Sequence, residues 1–216
     1  MYPSIEVRWF FQQEPTLILN QLNALVATAE ANNNDTLKFK EHWERSDYYL
    51  AVNGFPKMSY KIREGKSEIK VLDESFGVRK FAQSAEGIVE KWIKWSPALK
   101  DPHATPADIF RNPELFLEIK KERLLLKYEI TPERRISKVD PRRNDLKNGC
   151  QVELTKIEYN REVYFSFGLE ALGEDSLLMD NFNIVTEMTF KKINDARLKV
   201  GNSYGYPTFL DTKNGL

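Results

Sequence analysis

The sequence predicts an α+β protein built on one antiparallel sheet, and three observations lead there. Short segments alternate charged and apolar residues with a period of two, as in Ser4 to Phe10, where Ile5, Val7 and Trp9 oppose Ser4, Glu6 and Arg8. Turn residues separate these segments at short intervals, as Glu64-Gly65-Lys66-Ser67 does. Two stretches carry helical spacing instead, Ile18, Leu19, Leu22, Leu25, Val26 and Ala29 behind Glu14-Pro15-Thr16, and a weaker one near Asp180 to Ile193.

Taken in order, the opening strand and the first helix lead to Asn32-Asn33-Asn34-Asp35, and from Leu37 the pattern is extended as far as Val52, with Asn53-Gly54 as turn chemistry. Met58 to Glu64 sets Tyr60 and Ile62 against Ser59, Lys61 and Arg63. Glu68 to Leu72 sets Ile69 and Val71 against Glu68 and Lys70, so the two form a hairpin. Phe76 to Phe81 and Ile88 to Trp95 read as two further strands, and Thr105-Pro106 opens a short helix that ends before Asn112-Pro113. Leu, Lys and Glu favour helix over Glu114 to Ile130, but Leu124, Leu126, Tyr128 and Ile130 alternate with charged residues, so a strand is expected from Lys120 onward. A polar linker, Thr131 to Gly149, precedes two strands, Cys150 to Ile157 and Glu162 to Leu169, and a Gly/Tyr/Pro-rich tail contains Ser203 to Pro207.

Composition narrows the function. The chain of 216 residues is expected to form a single domain over 1–216, and its 32 basic and 32 acidic side chains cancel. A globally basic surface for nucleic acid is therefore not indicated. Residues 120–143 carry nine basic against four acidic side chains, but Arg134-Arg135 and Arg142-Arg143 read as a solvated loop. One cysteine, Cys150, and two histidines, His42 and His103, supply no zinc set, so any metal must sit on carboxylates, as Mg²⁺ or Mn²⁺. No leader and no run of membrane-spanning length is evident, so a cytoplasmic protein without a membrane partner is expected.

The charged faces carry the functional signal. On an antiparallel sheet such faces are ordinarily solvated. Curled the other way, the sheet would make a wet tunnel holding Glu6, Arg8, Lys61, Arg63, Glu68, Lys70, Glu90, Lys94, Arg123, Lys127 and Glu170. Lysines and arginines there suit phosphate oxygens, and a few carboxylates suit a divalent ion bridging them.

Ile5-Glu6-Val7-Arg8, Asp47-Tyr48-Tyr49, the Lys61-Ile62-Arg63 and Glu68-Ile69-Lys70 hairpin, Lys121-Glu122-Arg123 and Ser203-Tyr204 occur in the order found in the CYTH group, the triphosphate tunnel metalloenzymes, which this chain resembles over nearly its whole length. The resemblance implies an eight-stranded antiparallel β-barrel flanked by helices, and a small phosphorylated anion as partner. It implies binding of a triphosphate or polyphosphate by Arg8, Lys61, Arg63, Lys70, Lys94, Arg123 and Lys127, and Mg²⁺ or Mn²⁺ on Glu6 and Glu170. The family's paired acids are incomplete here. If Glu6 is the first acid, Arg8 stands where the second belongs and Phe10 where the lysine belongs; shifted by two residues, Ser4 and Glu6 take the two acid places and Arg8 that of the base. One acid remains either way, while the late pair reads Gly168-Leu169-Glu170 and Thr155 stands where aspartate is common. Anion binding is thus better supported than Mg²⁺- or Mn²⁺-dependent phosphohydrolysis, which is expected to be slow or absent. The alternative is a β-barrel carrier or interaction module for an apolar ligand or protein partner, with its charged faces as plain surface.

Overall fold

The computed structural model describes residues 1–30, 43–51, 54–143, 146–193 and 195–214. The chain opens with β1 (Tyr2–Phe11) and α1 (Thr16–Glu30), then β2 (Trp43–Leu50), β3 (Met58–Arg63), β4 (Lys66–Ala82) and β5 (Ala85–Trp95). The short helix α2 (Pro106–Ile109) precedes β6 (Phe116–Ile130), β7 (Ile136–Val139), β8 (Gly149–Tyr159) and β9 (Glu162–Leu172), and the chain ends in α3 (Leu178–Phe190) and α4 (Tyr206–Asn214). All pairings between these strands are antiparallel, in the order β2-β3-β4-β5-β1-β9-β8-β6-β7. A further pairing of β2 with β6 closes eight of the strands into a barrel. The eight-stranded antiparallel barrel with flanking helices is therefore the architecture of this chain.

Local chemistry explains the elements. At the β3–β4 turn both Glu64 and Gly65 take positive φ, the backbone that matches a tight hairpin's twist. A side chain at Gly65 would also meet the Pro102 backbone, with Cβ 2.4 Å from its Cα. Asn160 and Arg161, again at positive φ, turn β8 into β9.

Several boundaries differ from the sequence reading. Phe76 to Phe81 belongs to the same strand as Glu68 to Leu72, since bulges between Leu72 and Glu74 and between Ser75 and Gly77 let one long strand bend without ending. β6 begins at Phe116, ahead of the Lys120 expected, because residues 116–123 pair with β2, a long-range partner that local propensity does not register. The polar linker contains β7, paired with residues 127–130 of β6 beyond the end of the β2 pairing. The tail beyond Ser203 folds as α4, despite its turn-like composition. His42 and part of the extended run from Leu37 lie outside the described residues.

Each barrel wall has two buried faces. Ile5, Val7 and Trp9 of β1, Leu124 and Leu126 of β6, Val152 and Leu154 of β8 and Phe167 and Leu169 of β9 face outward and form one core with Ile18 and Leu22 of α1 and Phe182, Val185 and Phe190 of α3. Trp9 stacks on Phe167 at 5.9 Å and meets Phe81 and Phe190 edge-on. The opposite faces of those strands point into the lumen.

Candidate functional site: the barrel lumen

Cross-strand partners share a face, so the register carries the lumen lining around the barrel. Glu6 lies opposite both Glu90 and Glu170, and Glu170 lies opposite Gln151. Arg8 is opposite Gly168, which is opposite Glu153, and Arg123 is opposite Thr155. Across the closing seam Lys121 meets Arg45; Tyr49 is opposite Lys61, Lys61 opposite Glu68, and Lys70 opposite Lys94. Glu6, Arg8, Asp47, Lys61, Glu68, Lys121, Arg123, Glu153 and Glu170 are all buried. The charged faces are therefore interior, and the reading of them as solvated surface does not hold for these positions.

Burying charge is costly unless each charge is paired. Three linked clusters meet that requirement. In the first, the Glu153 carboxylate accepts from Arg8 Nη1 at 3.0 Å, from Arg123 Nε at 2.8 Å and from Thr155 Oγ1 at 2.8 Å. Arg8 also donates to Ser166 Oγ at 3.1 Å. Its guanidinium lies against Gly168, where a Cβ would come within 2.9 Å of Arg8 Cζ, so a side chain there would push the guanidinium aside. Burial works to raise the Glu153 pKa, but Arg123 and Arg8 outweigh it and hold the carboxyl well below its ordinary range.

The second cluster surrounds Asp47, with Lys121 Nζ at 2.8 Å, Lys61 Nζ at 3.5 Å and Arg45 Nε at 3.0 Å. Lys61 continues to Glu68 at 3.0 Å, which also accepts from Arg63 Nη2 at 3.0 Å. Lys121 donates to Tyr49 Oη at 3.0 Å and sits 3.7 Å from the centre of the Tyr206 ring. Burial lowers the Lys61 pKa to about 7, opposed by Glu68 and reinforced by Arg63 and Lys121. Burial likewise lowers Lys121 to about 8, against the pull of Asp47.

The third cluster is a row of carboxylates. Lys70 Nζ donates to Glu6 Oε2 at 2.6 Å and lies 3.7 Å from Glu170 Oε1. Glu170 Oε2 accepts from Gln151 Nε2 at 2.5 Å, and Glu90 Oε2 accepts from Trp92 Nε1 at 3.2 Å. Burial, with Glu6 nearby, pushes the Glu90 carboxyl up to about 7.

Helix α4 covers the remaining lumen wall. Phe209 and Leu210 pack with Phe10, Tyr49, Ile119, Ile157, Tyr159 and Tyr164 into a second apolar core, and Phe209 stacks on Phe10 at 4.5 Å. Tyr206 reaches past this layer to Arg8, whose Cζ lies 5.1 Å from its ring centre.

Of the residues singled out in the sequence, Arg8, Lys61, Arg63, Lys70, Arg123, Glu6 and Glu170 meet in these clusters, and Lys94 joins them through its register with Lys70. Lys127 shares the inward face of β6, but its ammonium donates to the Arg143 carbonyl at 2.5 Å and is tied to the loop after β7. Sequence reasoning passed over Arg45, Gln151, Glu153 and Tyr206. Glu153 was within reach, because Gln151, Glu153 and Thr155 alternate with Val152 and Leu154. Tyr206 was not, because only α4's docking brings it to the lumen. Cys150 is a buried thiol whose pKa burial pushes up, and Arg134, Arg142 and Arg143 pair with Asp180, Asp140 and Glu129.

No protein-family model matches the chain, and no curated protein does. Among solved structures, the S. pombe Pct1 RNA triphosphatase in complex with the Spt5 CTD is similar in shape at 9% identity and a TM-score of 0.42, over 91% of this chain and 85% of that one.

A divalent ion implied by the CYTH resemblance does not fit these residues. Glu6 and Glu170, the expected ligands, already hold Lys70 and Gln151, and among the described residues no group of three or more His, Cys, Asp or Glu side chains is arranged to hold a metal. No helix among the described residues is long and apolar enough to cross a membrane.

Proposed function

We propose that the lumen binds a triphosphate- or polyphosphate-bearing anion, with hydrolysis slow or absent. The observation that carries this reading is the lumen's excess of cations. Arg8, Arg45, Lys61, Arg63, Lys70, Lys94, Lys121 and Arg123 outnumber Glu6, Asp47, Glu68, Glu90, Glu153 and Glu170 along the walls of one closed barrel. Burial together with this crowding lowers Lys61 and Lys121 toward neutrality. A polyanion supplies the missing counter-charge and several acceptor oxygens at once.

Phosphoryl transfer to water needs charge neutralisation and a positioned nucleophile. The lumen provides the first through Arg and Lys. For the second, the lumen carboxylates among the described residues are each engaged by a neighbouring donor. An apolar ligand finds less support, because the apolar part of the wall is already covered by Phe209 and Leu210 of α4.

Calorimetric titration with tripolyphosphate tests the reading. Arg63→Ala and Arg123→Ala are expected to weaken binding by about 1.5–3 kcal/mol each, the scale of a hydrogen bond to a charged group. Wild type and both variants equally unable to bind would remove the anion site, and turnover of roughly 1–1,000 per second on tripolyphosphate would refute slow hydrolysis.

A further inference from the structure

We infer that the Lys70 ammonium is the resident cation of the Glu6/Glu170 pair, occupying by covalent attachment the place that a divalent ion would otherwise take, so that the lumen receives its anion without metal. The consequence for ligand uptake rests on the anion-binding reading; the statement about Lys70 does not.

Glu90, Glu6 and Glu170 are register partners on three adjacent strands, so their carboxylates form one inward row. Left alone, such a row would be strongly repulsive and would recruit a cation. Lys70 answers it from β4, reaching past β5 to within 2.6 Å of Glu6 and 3.7 Å of Glu170, with its Nζ 5.3 Å from the centre of the Trp92 ring. Gln151 takes the other Glu170 oxygen.

Arg8 extends the same arrangement on the neighbouring side. Two residues along β1 from Glu6 the side chain is the Arg8 guanidinium, and its register partner on β9, two residues before Glu170, is Gly168, against which that guanidinium lies. Mg²⁺ needs near-octahedral oxygen ligation at about 2.0–2.1 Å. Here a positive side chain stands among the donors on both sides, and it would have to be expelled before a divalent ion could enter.

Manganese is the probe. Free Mn²⁺ is followed by its electron paramagnetic resonance signal, and the thermal midpoint is measured with and without the ion. Wild type is expected to leave the signal and the midpoint unchanged at millimolar Mn²⁺. Lys70→Ala, with the row uncompensated, is expected to bind Mn²⁺ and gain midpoint on its addition, and the further change Glu170→Gln is expected to abolish both.

Wild type that binds Mn²⁺ and loses it on Glu6→Gln or Glu170→Gln would overturn the inference, as would a folded Lys70→Ala protein that binds none. Should Lys70→Ala fail to fold, the wild-type measurement still decides, together with Lys70→Arg, which keeps a cation and is expected to exclude Mn²⁺. In a separate arm, tripolyphosphate is expected to bind in EDTA. Binding that requires added Mg²⁺ contradicts the inference, whereas no tripolyphosphate binding under any condition refutes the anion reading and leaves the Mn²⁺ result to judge Lys70 by itself.

Discussion

The two faces of the barrel wall are both largely buried and are held by different physics. On the outer face Trp9, Phe167, Phe182 and Phe190 pack with α1 and α3 in a layer whose stabilisation scales with apolar area. On the inner face, one residue along the same strands, Arg8, Glu153 and Arg123 are buried to a similar extent but are stabilised only while each charge keeps its partner. The outer face is undirected and sums many contacts. The inner face is directional, and its cation excess leaves it short of anions. Stability and ligand affinity should therefore respond separately to substitutions on the two faces.

The largest expected effect separates them from the outer side. Phe182→Ala opens a cavity in the layer between α3 and the barrel and is expected to cost about 3–5 kcal/mol of unfolding free energy. Tripolyphosphate affinity of the folded fraction should stay unchanged. Urea unfolding and calorimetry on the same preparation check both halves, and a parallel fall in affinity would show the faces to be coupled.

Glu153→Gln sharpens the contrast from the inner side. Removing this carboxylate's charge leaves Arg8 and Arg123 without their shared counter-ion and should cost about 3 kcal/mol of stability, the scale for breaking a buried pair. The same change raises the lumen's positive charge, so tripolyphosphate should bind more tightly and should restore more thermal stability to this variant than to wild type. Weaker binding by the variant would mean that Glu153 serves the ligand by holding Arg8 and Arg123 in place.

The smallest expected effect is a pH dependence. Lys61 and Lys121 lie near 7 and 8 without ligand, chiefly through burial, and an anion favours their charged forms. Binding therefore takes up protons, and affinity should rise as pH falls from 9 toward 7, by at most about tenfold per unit for each proton taken up. Calorimetry in two buffers of different ionisation enthalpy measures that uptake directly. A flat profile would place the ligand away from the Asp47 cluster.

The alternation of Ile5, Val7 and Trp9 with Glu6 and Arg8 was legible because a strand's two faces follow from its period alone. The β3–β4 hairpin was legible because Glu64-Gly65 accepts the backbone its turn needs. The same alternation is compatible with a sheet whose charged side meets water, so periodicity could place Lys61, Arg63, Lys70 and Arg123 on a common kind of face but could not tell which way that face looks. The β2–β6 pairing closes the sheet by joining residues about seventy positions apart, Arg45 with Lys121 and Asp47 with Ile119, and the packing of α1 and α3 on the apolar face leaves the charged side inward. The start of β6 depended on that closure too, the existence of β7 on its pairing with residues 127–130 of β6, and the lumen role of Tyr206 on where α4 docks. The sequence by itself determined which residues are charged, which are apolar and how they alternate, because these are properties of neighbours along the chain. Only the tertiary structure decided which charge faces which, since Lys70 meets Glu6, and Arg8 meets Glu153, across strands that distant parts of the chain bring together.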